Sequence, residues 1–343
     1  MTPRIAIAMP TYEPDPAHLR AAVESVRTQT ERDWTLLVHD DASTADVRHM
    51  IEPYLADPRV TFVRSADRLG IGGNWNACVR RTPAPFFQFL FQDDAWEPHA
   101  LTRALAAMDA HSSVGLVSLA HAYQFDDLSL RLPIYDDVLA AQRAIGSGFH
   151  RGVDVLRWWI ERGLRPNVIG EPSFVCLRRS VIDAVGPFAE DLPQFLDADM
   201  WARCLGRSDW FFVGEECGFF RVHGGAASVK HAESGTGMTD RLQAFERLIP
   251  LLTPELRGVA RAARGNMLRE MVGKFLRRVS NGRRTAGSPT SPRLRGASGQ
   301  PHFAKASRGK RAAGKGAMFL IGYIVNHPLL CTRALLQAVF HTR

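Results

Sequence analysis

Two adjacent carboxylates, Asp93 and Asp94, close the apolar run FFQFLFQ at residues 86–92. Such a run reads as a strand buried on both faces, which has no internal use for charge, so the acids belong where the strand ends. In an open parallel sheet that end faces the ligand crevice, and a carboxylate there can hold a hard cation through oxygen or take a proton. Five further stretches carry similar groups. MPTYEPD sets Pro10, Thr11 and Tyr12 after an apolar segment, and HDDAST sets Asp40 and Asp41 before Ser43 and Thr44. DRLGIGGNWNACV combines Gly70, Gly72 and Gly73, which allow close backbone approach to a ligand, with Asn74 and Asn76 at a helix start. LDADMWAR places Asp197 and Asp199 two apart, so that on a helix they do not share a face, and FFRVHGGAAS ends an apolar run with Arg221 and His223. Taken singly, these are also ordinary turns and helix caps. Order and spacing carry the argument.

The elements that must position these groups follow from periodicity. RIAIAM (4–9), WTLLVHD (34–40), VTFVR (60–64), FFQFLFQ (86–92) and VGLVSLA (114–120) read as strands, with helices near 15–29, 46–55, 73–81 and 98–110. Alternating strand and helix predicts an α/β fold with a mainly parallel, Rossmann-like sheet flanked by helices, and puts functional residues on the loops after strands. Between 121 and 256 the pattern is less regular: GVDVLRWWIERG and LDADMWARCLGR read as helices, and WFFVGEECGFFRVH as two short strands around a turn.

The charge is unevenly distributed. From Arg257 to Arg343, 18 lysines and arginines face one acid, Glu270; that segment carries +17, and with +8 overall the first 256 residues carry −9. The five cysteines show no metal-type spacing, which reads as reduced thiols. The chain opens directly on a strand without a signal-type segment, and no uninterrupted apolar stretch has spanning length. A cytoplasmic location is expected.

P-T-Y near residue 11, D-D-x-S-T about thirty residues on, GIGGNWN, then Q-D-D followed by W-x-P, together resemble glycosyltransferase family 2, nucleotide-sugar-dependent enzymes with the A-type glycosyltransferase fold. NVIGEPSFVCLRRSVIDAVGPFAEDLPQFLDADMWARCL looks like that family's acceptor-side segment and FFRVHGGAAS like its closing R-x-H segment, so the resemblance covers roughly residues 4–230. It implies an inverting transfer of a sugar from a nucleoside diphosphate donor, of UDP or dTDP type, to a hydroxyl acceptor. A divalent cation, Mn or Mg, would bridge the diphosphate.

Residue by residue, the resemblance assigns the metal to Asp93, with His223 a further metal or diphosphate contact. The nucleotide sugar falls to Pro10, Thr11, Tyr12, Asp41, Arg68, Asn76 and Gln92, with Asp41 facing the base and Arg68 approaching the diphosphate. Asp197 is the expected general base, and Asp199 a helix N-terminal charge. Where the family carries Asp-x-Asp, this chain has Phe91, Gln92 and Asp93, which leaves one carboxylate; Asp94 is expected to cap the next helix or hold a neighbouring loop. That departure leaves room for a nucleotide-sugar-binding protein without catalysis. A sugar-phosphate nucleotidyltransferase is disfavoured, because MPTYEPDP lacks a Gly-rich, Lys-bearing loop.

The expected organisation is a catalytic domain at 1–256, with a nucleotide-sugar-binding half at 1–120 and an acceptor-side half at 121–256. A helical extension at 257–279, a disordered basic linker at 280–316 and an amphipathic segment at 317–343 follow. A single phenylalanine, Phe303, interrupts the basic linker, so base stacking and a nucleic-acid partner are not expected. Expected partners are a saccharide or lipid-linked acceptor and, through the tail, an anionic membrane surface at the inner face; docking of the terminal segment on the domain is the alternative.

Overall fold

The computed structural model describes residues 2–225 and 237–285, with side chains to residue 273. In chain order the first elements are β1 (Ile5–Thr11), α1 (Pro16–Arg27), β2 (Trp34–Asp40), α2 (Val47–Ile51), β3 (Val60–Arg64), α3 (Gly70–Arg81) and β4 (Phe86–Phe89). Next come β5 (Ala95–Trp96), α4 (Ala100–Ala110), β6 (Val114–Phe125), α5 (Pro133–Ile145), β7 (Gly148–His150) and α6 (Gly152–Glu161). The described chain ends with β8 (Val175–Arg178), α7 (Arg179–Val185), α8 (Leu196–Leu205), β9 (Asp209–Val222), α9 (Gly237–Leu251) and α10 (Pro254–Thr285).

The strands form one sheet in the order β3-β2-β1-β4-β8-β6-β9-β5, with β7 added on β9. β3, β2, β1 and β4 run parallel, so their carboxyl ends share one edge. Beyond β4 the sheet is mixed: β8 pairs antiparallel with both β4 and β6, while β6 and β9 are parallel. The parallel expectation thus describes the first half, and the antiparallel β8 joins the second half to it. The acidic run sits at the seam, because β4 lies between β1 and β8.

Local chemistry explains the boundaries. Asp15 caps α1 by accepting the N–H groups of Ala17 at 2.8 Å and His18 at 3.1 Å, and Leu19, Ala22, Val23 and Val26 form its buried stripe. β4 stops at Phe89 rather than running to Gln92, since the Phe91 N–H turns to the Ser173 hydroxyl at 3.0 Å. The segment read as two strands around a turn is one strand, β9, whose irregular register against β6 absorbs the extra residues. At Gly218, φ is +150° and a Cβ would lie 2.2 Å from the Ala95 carbonyl oxygen, so only glycine lets β5 pair there. Two apolar layers cover the sheet, one under α1 and α4, the other under α6, α8, α9 and α10. α10 continues to Thr285, past the expected linker start at 280; the rest of that linker and the segment 317–343 lie outside the described residues. No described helix is long and apolar enough to cross a membrane. Cys78, Cys176, Cys204 and Cys217 are buried free thiols.

Candidate functional site

At the carboxyl ends of β1 and β4 the backbone of Tyr12 is clamped by Gln92. The Tyr12 N–H donates to Oε1 at 2.9 Å, and Nε2 donates to the Tyr12 carbonyl at 3.3 Å. Two loops are thereby locked together, and the Tyr12 ring, 37% exposed, is presented with the Arg68 guanidinium 3.9 Å from its centroid. Pro10 and Thr11 lie in β1 beneath it; Thr11 is fully buried and its hydroxyl donates to the His39 carbonyl at 3.3 Å.

Asp41 and Asn76, expected at the nucleotide, both make hydrogen bonds to the protein itself. Asp41 is 2% exposed, and its two oxygens accept the N–H groups of Leu69 at 2.7 Å and Gly70 at 3.0 Å. This supplies from β2 the cap that α3 lacks, since Leu69 at the cap position makes no side-chain bond and Gly70 has φ +77°. Asn76 is buried, donating to Phe188 O at 3.0 Å and Glu190 Oε1 at 2.9 Å and accepting the Phe188 N–H at 2.9 Å. Gly72 lies against the same loop, where a Cβ would be 2.7 Å from Glu190 Cα. The close approach that the glycines permit is therefore, at Gly72, an approach of chain to chain.

The acidic pair divides its work. Asp93 Oδ2 meets His223 Nε2 at 2.9 Å, and the Asp93 hydrogen bond holds the imidazole pKa above its ordinary value. Arg221 Nε donates to the Asp93 carbonyl at 3.1 Å, which fixes the backbone beneath that carboxylate. Asp94 is 1% exposed; it accepts from the Ser173 hydroxyl and from the Arg221 N–H at 3.0 Å, and burial pushes its pKa well up. It holds neighbouring segments, whereas α4 begins without a side-chain cap. Phe91, in the place of the family's first acid, packs on Trp75 at 5.1 Å between centroids.

In the second half of the chain α8 carries LDADMWAR, each polar residue on a separate task. Asp197 is half-buried, accepts from Asn167 Nδ2 at 3.0 Å, and burial raises its pKa to about 6. Asp199 does more than sit at a helix start: it is 3% exposed and pairs with Arg203 at 2.8 Å, and that guanidinium closes α7 by donating to Val185 O at 2.7 Å and Pro187 O at 2.9 Å. Trp201 Nε1 donates to Gly170 O at 3.1 Å.

Residues 167–173, NVIGEPS, connect the two sides. Asn167 touches Asp197 at one end and Ser173 touches Asp94 at the other. Between them stands Glu171, half-buried, whose carboxyl pKa is pushed up to about 8 by burial first and by the Asp197 charge second. Sequence reasoning missed Asn167, Glu171 and Ser173 as individual residues. The available signal was a Glu-Pro pair inside a stretch already compared with the acceptor-side segment, followed by a buried strand.

Among the described residues no group of three His, Cys, Asp or Glu side chains converges as a closed metal site. Asp93 and His223 bring a carboxylate oxygen and an imidazole nitrogen together, donor types that a divalent ion such as manganese accepts once the imidazole gives up its proton. An ion held by two side chains takes its remaining oxygens from phosphate and water.

With that geometry in hand, residues 6–150 match the family model for Glycosyl transferase family 2. An uncharacterized protein of Mycobacterium tuberculosis (strain CDC 1551 / Oshkosh) is 27% identical over 260 residues, covering 75% of this chain and 80% of that one. Among solved structures, S. aureus TarS 1–349 in complex with UDP-GlcNAc superposes with a TM-score of 0.57 at 13% identity, over 93% of this chain and 82% of that chain. The mannosyltransferase PcManGT from Pyrobaculum calidifontis, in complex with GDP-Man and Mn2+, superposes with a TM-score of 0.54 at 15% identity, over 96% and 88%. At these identities the superpositions speak to fold, and the fold is that of the A-type glycosyltransferases.

Proposed function

Because residues 6–150 belong to glycosyltransferase family 2, we propose that this glycosyltransferase moves a sugar, with inversion, from a UDP- or dTDP-type donor to a saccharide or lipid-linked saccharide hydroxyl in cell-surface polysaccharide assembly. The observation that carries the reading is the Asp93–His223 pair, 2.9 Å apart at the carboxyl end of β4, beside the Tyr12 ring that Gln92 holds in place.

In this reading Tyr12, Pro10 and Thr11 form the floor under base and ribose, Gln92 fixes that floor, and Arg68 approaches the diphosphate. Asp41 and Asn76 set the walls, one through the Leu69–Gly70 turn and the other through the 188–190 loop. Asp93 and His223 would hold the divalent cation, Mn or Mg, which supplies neutralisation of the charge on the departing diphosphate. Asp197 takes the proton of the attacking hydroxyl; a pKa of about 6 leaves it ionised at neutral pH yet basic enough to accept. The basic tail would bring the enzyme to an anionic inner membrane face where lipid-linked acceptors lie.

Isothermal titration of UDP, dTDP and GDP with and without Mn2+, followed by nucleotide release from the matching sugar donors, tests the reading. Binding of UDP or dTDP that strengthens with Mn2+ supports it, and no binding of any of the three overturns it. Phe91 in the place of an acid favours one second reading, a nucleotide-sugar binder without turnover. Release of nucleotide from bound donor in the absence of acceptor excludes that reading.

A further inference from the structure

Two arginines that the proposed reaction does not use meet at the start of α9. Arg241, one turn into that helix, is 6% exposed, and its buried Nε has no hydrogen-bond partner. Its Nη1 comes 3.8 Å from where a Gly163 Cβ would stand, and Arg165 Nη2 comes 3.8 Å from where a Gly237 Cβ would stand. Gly163 and Arg165 are two positions apart on one segment, and Gly237 and Arg241 one helical turn apart on the other, so the two contacts cross and set both guanidinium groups in one junction. Arg203, Arg264 and Arg221, whose side chains are also mostly buried, each meet a carboxylate, at 2.8, 2.8 and 3.6 Å. Arg241 meets none among the described residues; the like charge of Arg165 acts on it more strongly than Glu270 does.

A buried cation without a counter-ion is unfavourable, and a second cation beside it adds to the cost. Burial lowers the Arg241 pKa to about 10, which still leaves the group charged at neutral pH. An anion from outside would relieve both charges, and forked guanidinium donors match the oxygens of a phosphate. The position of the junction says which phosphate. Arg165 is two residues before Asn167, whose Nδ2 donates to Asp197 at 3.0 Å, and the Pro166 carbonyl between them accepts from Trp159 Nε1 at 2.6 Å. From the α9 side, Asp240 accepts the N–H of Gln194 at 3.0 Å, three residues before Asp197, and Gln194 Oε1 lies 2.6 Å from the Gly237 Cβ position. Each segment that carries one of the arginines therefore also touches the part of the chain that holds the proposed base.

We infer that Arg165 and Arg241 form a phosphate site for the acceptor, which is a saccharide bearing a phosphate monoester or diphosphate on the sugar whose hydroxyl Asp197 deprotonates. Arg241 is the fixed half of the site, held between α9 and the turn at Gly163, and Arg165, which is exposed, is the half that closes on the ligand from solvent. The pair selects anionic acceptors over neutral glycosides and orients the sugar toward Asp197.

This inference rests on the glycosyltransferase reading, and the experiment keeps the two apart. The full chain, saturated with UDP and Mg2+ so that the donor site is filled, is titrated calorimetrically with the 1-phosphates of glucose, galactose, mannose and N-acetylglucosamine, with their methyl glycosides, and with inorganic phosphate. Wild type, Arg165→Ala and Arg241→Met are compared, and urea unfolding is followed for each. At least one sugar phosphate binds the wild type about tenfold or more tightly than its methyl glycoside and than inorganic phosphate, and each substitution removes about tenfold of that affinity while UDP affinity stays unchanged. Arg241→Met, which keeps bulk and drops the charge, unfolds at no lower urea concentration than the wild type, whereas loss of a structural ion pair would lower it. Equal affinity for sugar phosphates and methyl glycosides, inorganic phosphate bound as tightly as any sugar phosphate, unchanged sugar-phosphate affinity in Arg165→Ala, or a clear loss of stability in Arg241→Met each overturn the inference. Absence of UDP binding by the wild type is failure of the glycosyltransferase reading itself.

Discussion

The two sides of the crevice treat their carboxylates differently. On the donor side most acids have both oxygens occupied, Asp40 by Ser43 and Arg64, Asp41 by two backbone N–H groups and Asp94 by Ser173 and the Arg221 N–H, while Asp93 meets His223 through one oxygen. On the acceptor side Asp197 has one side-chain partner and Glu171 none among the described residues, and burial raises the pKa of both, as it does for Asp94 on the donor side. Saturated polar groups give a rigid platform on which a ligand is positioned, while undersatisfied ones are prepared to exchange a proton or a hydrogen bond. The first half is built to hold and the second to react.

The largest break in that contrast comes from Asp93→Ala. Removal of the proposed ligand weakens Mn2+-supported UDP affinity by about 10- to 100-fold and transfer with it, measured by calorimetry and nucleotide release. Unchanged Mn2+-dependent affinity would remove Asp93 from the metal site. Next in size is Asp199→Ala, which leaves Arg203 buried without its carboxylate and costs about 3–5 kcal/mol in urea unfolding. A loss under about 1 kcal/mol would mean that the pair does not hold α7 and α8 together. Gly72→Ala drives a Cβ toward the Glu190 backbone and costs about 1–3 kcal/mol by the same assay, and a neutral result would show that α3 is free to move from the 188–190 loop.

The smallest effect sharpens the contrast by pH. Glu171 has its folded pKa raised to about 8, so the folded state keeps a proton that the unfolded state releases near the usual carboxylate value. The stability this group contributes is therefore full at acid pH and declines as pH rises toward about 8. Glu171→Gln removes that slope, so its melting temperature gains on the wild type between pH 5 and 8; a constant difference would contradict the assigned state.

How far the sequence was legible follows the same division. β2 and β3 match their expected limits, and β1 starts one residue later and ends two later than expected, because a short buried strand between turn residues has one register open to it. α5 leaves no clear apolar stripe in the sequence, since its buried positions, Tyr135, Val138 and Gln142, include a polar residue whose amide is spent on Val168 O. β9 reads as two strands in sequence because Gly214 and Gly218 look like turn residues, and only the neighbours Ser147 and Ala95 reveal them as close approaches. At the site, Asp93 and His223 come together although 130 positions separate them. Asp41 and Asn76 read the same in sequence whether a ligand or a backbone receives them, and their bonds to Leu69, Gly70 and Phe188 appear only in the tertiary fold. Glu171 gave no pattern, since its meaning depends on which groups the fold leaves unpaired around it.

Asp197→Asn separates the two halves most directly, and one experiment suffices: nucleotide release during transfer, with UDP affinity titrated on the same preparation. If the donor side holds and the acceptor side reacts, turnover falls by about 10²- to 10⁴-fold while the UDP dissociation constant stays within about twofold. Turnover within a few fold of wild type, or a parallel loss of UDP binding, would contradict it.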